Sequence, residues 1–227
     1  MPEPARPKAI VSFSSGKDSA YALHLARRAG ELDIVGILTT VTAAFDRVAM
    51  HGVREMLLER QAAELGLPCY KVPIPSPCPN DVYEAAMERA VLQAKSEGVS
   101  HFVFGDLFLE DIRKYREERL APAGIAAVFP LWQRDTRVLA EEMVTAGLRA
   151  VVTCVDPRKL ARSFAGRVFD ARFLADLPAG VDPCGENGEF HTFVTDGPMF
   201  RRPIAVRAGE VVERDGFVFA DVLPLTE

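Results

Sequence analysis

An apolar run, Ala9-Ile10-Val11, passes through Ser12-Phe13 into Ser14-Ser15-Gly16-Lys17-Asp18-Ser19, after which a helical pattern begins. Few folds accommodate this, because a buried strand must turn at once into a helix over small residues. Such a turn aims successive backbone N–H groups at one point, and the helix N-terminus adds about half a positive charge there. The segment therefore reads as a phosphate loop. Ser14, Ser15 and Ser19 supply hydroxyls, Gly16 allows close backbone approach, Lys17 is a mobile cation and Asp18 is a metal ligand. An ordinary capped turn would account for Asp18 but not for the hydroxyl residues beside a lysine. The G-x-x-x-x-G-K-[ST] pattern is excluded, since Val11 stands at its first glycine and Asp18 at its metal-binding hydroxyl.

Beyond the loop, short apolar runs alternate with longer helical patterns, which predicts an α/β fold with a parallel sheet and helices on both faces. Strands are expected over Ala9–Phe13, Ile34–Thr40, Cys69–Val72 and His101–Phe104. Helices are expected over Asp18–Ala29, Val53–Leu65 and Glu110–Leu120, with a long one capped by Asn80 or Asp81 and stopping at Gly98. The composition shifts at Ala121-Pro122-Ala123-Gly124, dividing the chain into residues 1–124 and a smaller α+β part, residues 125–227. That part opens with a strand over Ala127–Leu131, a helix over Thr136–Ala146 and a strand over Ala150–Val155. It closes with β-like segments around Glu189–Val194, Ile204–Val206, Glu210–Val212 and Phe217–Val222, with hairpin turns at Ala208-Gly209 and Asp215-Gly216. In open sheets a ligand lies beyond the carboxyl ends of the strands where their order reverses. This brings Thr39, Thr40, Gly105 and Asp106 to the ligand of the loop, with a plain turn as the alternative for Gly105-Asp106.

A second cluster, Asp182-Pro183-Cys184-Gly185-Glu186-Asn187-Gly188-Glu189-Phe190-His191-Thr192, crowds reactive groups around two glycines. Glu186 and Glu189 could orient a cation, bind an amine or accept a proton, and His191 could do so near neutral pH. A polar turn leading into a strand is the alternative. Cys184 has no basic residue near it in sequence to activate a thiolate. On the charged helix, Arg113 and Arg116 either belong to a solvated face or reach phosphates from the strand end.

The remaining composition narrows the function. A net charge of −5 argues against a broad nucleic-acid surface. Cys69, Cys78, Cys154 and Cys184 form no C-x-x-C pair, and His51 and His101 have no metal-binding spacing. The first eight residues carry charge and prolines without an apolar core, and no run approaches the roughly 18 apolar residues of a membrane span, so a cytoplasmic protein is expected.

The Ser14–Ser19 loop resembles the S-G-G-x-D-S loop of the N-type ATP pyrophosphatases. Pro130-Leu131-Trp132, the Asp182–Phe193 segment and Asp196-Gly197-Pro198-Met199-Phe200 are similar to the diphthine–ammonia ligase (diphthamide synthase) family, and the resemblance covers nearly the whole chain. It implies a Rossmann-like, HUP-type nucleotide domain followed by a family-specific domain, with the active site between them. It further implies an ATP-dependent ligase in which a substrate carboxylate becomes an acyl-adenylate, pyrophosphate departs, and ammonia or another amine forms the amide. On this likeness Ser14, Gly16, Lys17 and Ser19 hold pyrophosphate, Asp18 binds Mg²⁺, and Glu186 and Glu189 share the catalysis with Lys17 and Asp18. Arg113 corresponds to the family's arginine and, with Glu186, Asn187, Glu189 and His191, faces the substrate. Ser15 replaces the loop's second glycine, Asn187 another glycine and His191 a glutamate, which implies a divergent, bacterial-type member acting on another carboxylate; its oligomeric state is left open. The alternatives on the same fold are a non-catalytic ATP or AMP sensor and an adenylating RNA sulfur-transfer enzyme. The latter requires a reactive cysteine pair and a basic surface that this sequence lacks.

Overall fold

The computed structural model describes residues 5–42, 44, 47, 48 and 52–225; His51 lies outside them. The chain runs β1 (Lys8–Ser12), α1 (Lys17–Ala29), β2 (Asp33–Thr42), β3 (Arg47–Val48), α2 (Glu55–Leu65) and β4 (Cys69–Ile74). It continues with α3 (Asn80–Ser96), β5 (Val99–Val103), α4 (Glu110–Leu120), β6 (Ala126–Val128), α5 (Thr136–Thr145) and β7 (Arg149–Val155). Last come β8 (Val168–Phe169), α6 (Ala171–Asp176), β9 (Phe190–Asp196), β10 (Val206–Arg214) and β11 (Phe217–Pro224).

In the first sheet β2, β1, β5 and β6 are successive parallel neighbours, and β4 pairs in parallel with β2. The short β3 pairs antiparallel with the end of β2. The parallel strands thus read β4, β2, β1, β5, β6 across the sheet, and chain order reverses beside β1, where the ligand crevice of such sheets lies. Both faces are covered. Ala9 and Val11 of β1 pack into one core with α1 and α2, while Ile10 packs into another with Ala86 and Val91 of α3. That is why β1 reads as an unbroken apolar run rather than an alternating one.

The second sheet is antiparallel, in the order β10, β11, β7, β8, with β9 also paired to β7. Its Val152, Phe193 and Val194 join the same core cluster as Ala9 and Leu23, so the two sheets are packed together rather than joined only by chain.

Several expectations need correction. The strand placed over Ala127–Leu131 is Ala126–Val128 and belongs to the first sheet, where it pairs with β5. Pro130 cannot extend the ladder, and the chain turns there, with Trp132 N–H donating to the Phe129 carbonyl. The long helix starts after Pro79 with no side-chain cap, so neither Asn80 nor Asp81 caps it. Ala208-Gly209 is an irregularity inside the continuous β10, not a hairpin turn. The hairpin is at Asp215-Gly216 alone, where φ values of 53° and 79° match the two left-handed residues of a tight turn.

Candidate functional site

The loop between β1 and α1 is folded on itself and braced from the second sheet. Ser19 Oγ lies 3.2 Å from Ser14 Oγ, accepts from Ser14 N–H and donates to the Gly16 carbonyl. Lys17 N–H, the first of the helix, donates to Thr192 Oγ1 at 3.1 Å. The Ser15 carbonyl accepts from Val194 N–H of β9 and from Gln61 of α2, whose side-chain amide also donates to the Val194 carbonyl. Gln61 and Thr192 therefore fix the loop. Gln61 escaped sequence reading because a lone buried Gln gives no periodic signal, and Thr192 stood out only as the end of the Asp182–Thr192 cluster.

Lys17 is not a mobile cation. It is 2% exposed, donates to Asp18 at 2.8 and 3.0 Å and to the Cys184 carbonyl, and lies 5.3 and 5.7 Å from the ring centres of Phe190 and Phe169. Burial, the largest single influence, would lower its pKa, but the charge and hydrogen bonds of Asp18 together with the nearby Cys184 and Glu186 leave it raised. The apolar pocket dictates this: a desolvated ammonium persists only when paired.

Above the loop opens a cleft of about 280 Å³ lined by Ser14, Lys17, Asp18, Ser19, Gly105, Asp106, Arg116, Glu186, His191 and Thr192, among others. Glu186 Oε1 accepts from Leu107 N–H at 2.9 Å. Burial, then the carboxylates of Asp18 and Asp106, push its pKa up to about 7 despite that bond. Burial, then the Lys17 charge, push His191 down to about 4, so its imidazole is neutral at pH 7 rather than titrating there. Arg116 grips Asp106 with two hydrogen bonds, at 2.7 and 3.2 Å, and stacks 4.5 Å over the Phe104 ring. Gly105 has a packing reason to be glycine, since a Cβ there would lie 2.7 Å from Asp18 C and Ser19 N.

Other predicted residues lie elsewhere. Thr39 donates its hydroxyl to the Phe13 carbonyl at 2.7 Å, and neither it nor Thr40 lines the cleft. Strand β2 runs on to Thr42 with β4 beside it, so its carboxyl end is farther along than expected. Ser15 points inward, fully buried at φ 69°, its hydroxyl without a partner among the described residues. Arg113 stacks on Phe129 and Trp132 and bonds Glu117, leaving Arg116 as the arginine of the cleft. Asn187 is exposed and donates to Glu189 Oε1, which also accepts from Asp182 N–H, so Glu189 holds the loop's shape from a buried position. Cys184 is buried, donates toward the Thr136 carbonyl, and has its thiol pKa pushed up by burial.

Among the described residues no three His, Cys, Asp or Glu side chains come together as a metal cage. No helix there is long and apolar enough to cross a membrane.

The chain is similar to relatives named diphthine–ammonia ligase: 28% identical to that of Bos taurus, covering 92% of this chain and 86% of the bovine one. It is 28% identical to the Homo sapiens protein over the same shares and 27% identical to that of Danio rerio, over 95% of this chain and 92% of the fish protein. The profile described as diphthamide synthase C-terminal domain matches residues 135–220, within the half that carries Glu186 and β9. The profile described as diphthamide synthase N-terminal domain matches residues 7–124, which is more than half of the sequence and includes the loop, and so the chain belongs to the diphthamide synthase family.

Proposed function

We propose that this protein is an ATP-dependent, AMP-forming carbon–nitrogen ligase: it adenylates a substrate carboxylate, releases pyrophosphate and forms an amide with ammonia or another amine. The observation that carries this is the meeting of an anion cradle at the start of α1 with the Glu186 carboxylate, from the turn that precedes β9, in one cleft. Residues 1–124 serve the nucleotide, and residues 125–227, apart from β6, supply the side that faces the acyl group and amine.

The α1 N-terminus and the Ser14 and Ser19 hydroxyls receive the departing pyrophosphate, with Lys17 holding Asp18 at the edge of the cradle. Asp18 is the one carboxylate of the loop, which suits a Mg²⁺ ion carried chiefly by phosphate oxygens and one side chain. When bound, such an ion neutralises charge developing on the leaving phosphates. Glu186 is placed to take the proton of the attacking amine. A triphosphate in the cleft adds negative charge and keeps Glu186 protonated; departure of pyrophosphate lowers its pKa and frees it to act as a base. Neutral His191 can accept a hydrogen bond without repelling an incoming ammonium ion.

The test is acid-stimulated exchange of pyrophosphate into ATP, screened over candidate carboxylates including a diphthine-bearing protein. Asp18→Ala should abolish exchange, whereas Glu186→Gln should retain exchange and lose amide formation. If ATP binds but no acid stimulates exchange, the ligase reading fails and the sensor reading replaces it.

A further inference from the structure

The segment that follows β5 links the phosphate loop to the Glu186 turn. Gly105 packs on the Asp18–Ser19 backbone, where a Cβ would come within 2.7 Å, and Leu107 N–H donates to Glu186 Oε1 at 2.9 Å. Asp106 stands between these two contacts. Its carboxylate accepts from Arg116 Nε and Nη2 at 2.7 and 3.2 Å, and the guanidinium lies 4.5 Å from the Phe104 ring centre. The Arg116 guanidinium is thus held both along its edge and across its face.

Two cations, Lys17 and Arg116, line the cleft. Lys17 is committed to Asp18 and the Cys184 carbonyl. Asp106 engages only Nε and Nη2 of Arg116, so Nη1 is left with no acceptor among the described residues. A guanidinium presents its N–H donors in a rigid fork that suits phosphate oxygens. In carboxylate adenylation the carboxylate oxygen bonds to the α-phosphorus while the bond to the β-phosphate breaks, its electron pair leaving with pyrophosphate. An in-line displacement holds the α-phosphorus between the leaving group and the acyl group. Here the cradle takes the leaving group and Glu186 faces the amine that attacks the acyl group. The α-phosphate therefore belongs between them, where Asp106 holds Arg116.

We infer that Arg116 binds the α-phosphate of the nucleotide and that Asp106 is its positioning residue. The pair carries no net charge, so it supplies orientation and charge-assisted hydrogen bonds rather than long-range attraction. This rests on the ligase reading for the order of groups in the cleft, but its test needs no turnover. The probes are AMP, adenosine and inorganic pyrophosphate, titrated into the full chain by calorimetry. The double variant Asp106→Asn with Arg116→Gln removes the pair without changing the net charge of the cleft. It should weaken AMP about tenfold or more, while adenosine and pyrophosphate stay within about twofold. Arg116→Ala should weaken AMP at least as much, and guanidinium chloride at a non-denaturing concentration should restore part of the loss where methylammonium chloride does not. A purely structural role would respond to neither salt. Should the double variant fail to fold, Arg116→Lys keeps the charge but loses the fork, and it should weaken AMP several-fold with adenosine unchanged. The proposal is overturned if these variants leave AMP affinity intact, if adenosine or pyrophosphate weakens as much as AMP, or if guanidinium restores nothing. Absence of acid-stimulated exchange in the wild type, with this binding pattern intact, would instead count against the ligase reading alone.

Discussion

Glu186 and His191 should make opposite and nearly cancelling contributions to the pH dependence of folding. Glu186 has an ordinary value of 4.5 and a folded value of about 7, so the folded protein holds its proton more tightly. The stability it adds is complete below about pH 4.5 and is lost as pH rises through 7. His191 has an ordinary value of 6.5 and a folded value of about 4. Its contribution is complete above about pH 6.5 and is lost as pH falls through 4. Each shift spans about 2.5 units, a ceiling of about 3.4 kcal/mol, which partial solvent access at both side chains reduces to about 2 kcal/mol.

Urea unfolding of the ligand-free protein between about pH 4 and 8 tests this, with difference profiles removing every other titrating group. Glu186→Gln minus wild type should rise by about 2 kcal/mol as pH increases from 4.5 to 7, because the cost of ionising a buried carboxylate is gone. A variant with His191→Gln should fall relative to wild type by a similar amount between 4 and 6.5. The double variant should resemble wild type in slope. A Glu186→Gln difference that stays flat within about 0.5 kcal/mol would show that Glu186 titrates as an exposed carboxylate, and its assignment as the proton acceptor would fall with it.

Two further substitutions probe the loop. Ser15→Gly should stabilise the protein: it removes a left-handed non-glycine residue at φ 69° and an unpartnered buried hydroxyl, against a small added freedom of the unfolded chain. The net is about 1 kcal/mol, a rise of roughly 2–4 °C in melting temperature at this chain length, and a lowered melting temperature would show that the hydroxyl is bonded in solution. Gly105→Ala should do the reverse, since its Cβ would meet the α1 backbone at 2.7 Å. A loss of about 1–3 kcal/mol together with weakened ATP binding is expected from such overpacking, and an unchanged protein by both measures would refute the close approach.

What the sequence revealed follows from what local patterns encode. The apolar run of β1 and its small-residue turn declare a strand, a loop and a helix, because their chemistry is local. The Glu186 segment likewise stood out by the density of reactive groups. Pairing is another matter. β6 has the composition of either part, and only its hydrogen bonds to β5 assign it to the first sheet. Arg113 and Arg116 both sit on α4, but the charged pattern of that helix does not say which faces Asp106 and which lies on Phe129 and Trp132. Periodicity identifies a face, and the neighbour across from it decides the role.

Lys17 shows the same limit at the centre of the site. Its position in the loop gave the charge correctly, yet its mobility depended on residues more than 150 positions away: the Cys184 carbonyl and the ring of Phe190 enclose it, and Thr192 takes its backbone N–H. All three lie on the stretch that leads from the Glu186 turn into β9. The anion cradle is thus completed by the same segment that presents the proton acceptor, so neither half of the chain can form its part of the cleft alone. An isolated N-terminal half would leave the Lys17 ammonium without the Cys184 carbonyl and Ser15 without its β9 donor, and its loop would lack the fixed geometry that preorganised charge stabilisation requires.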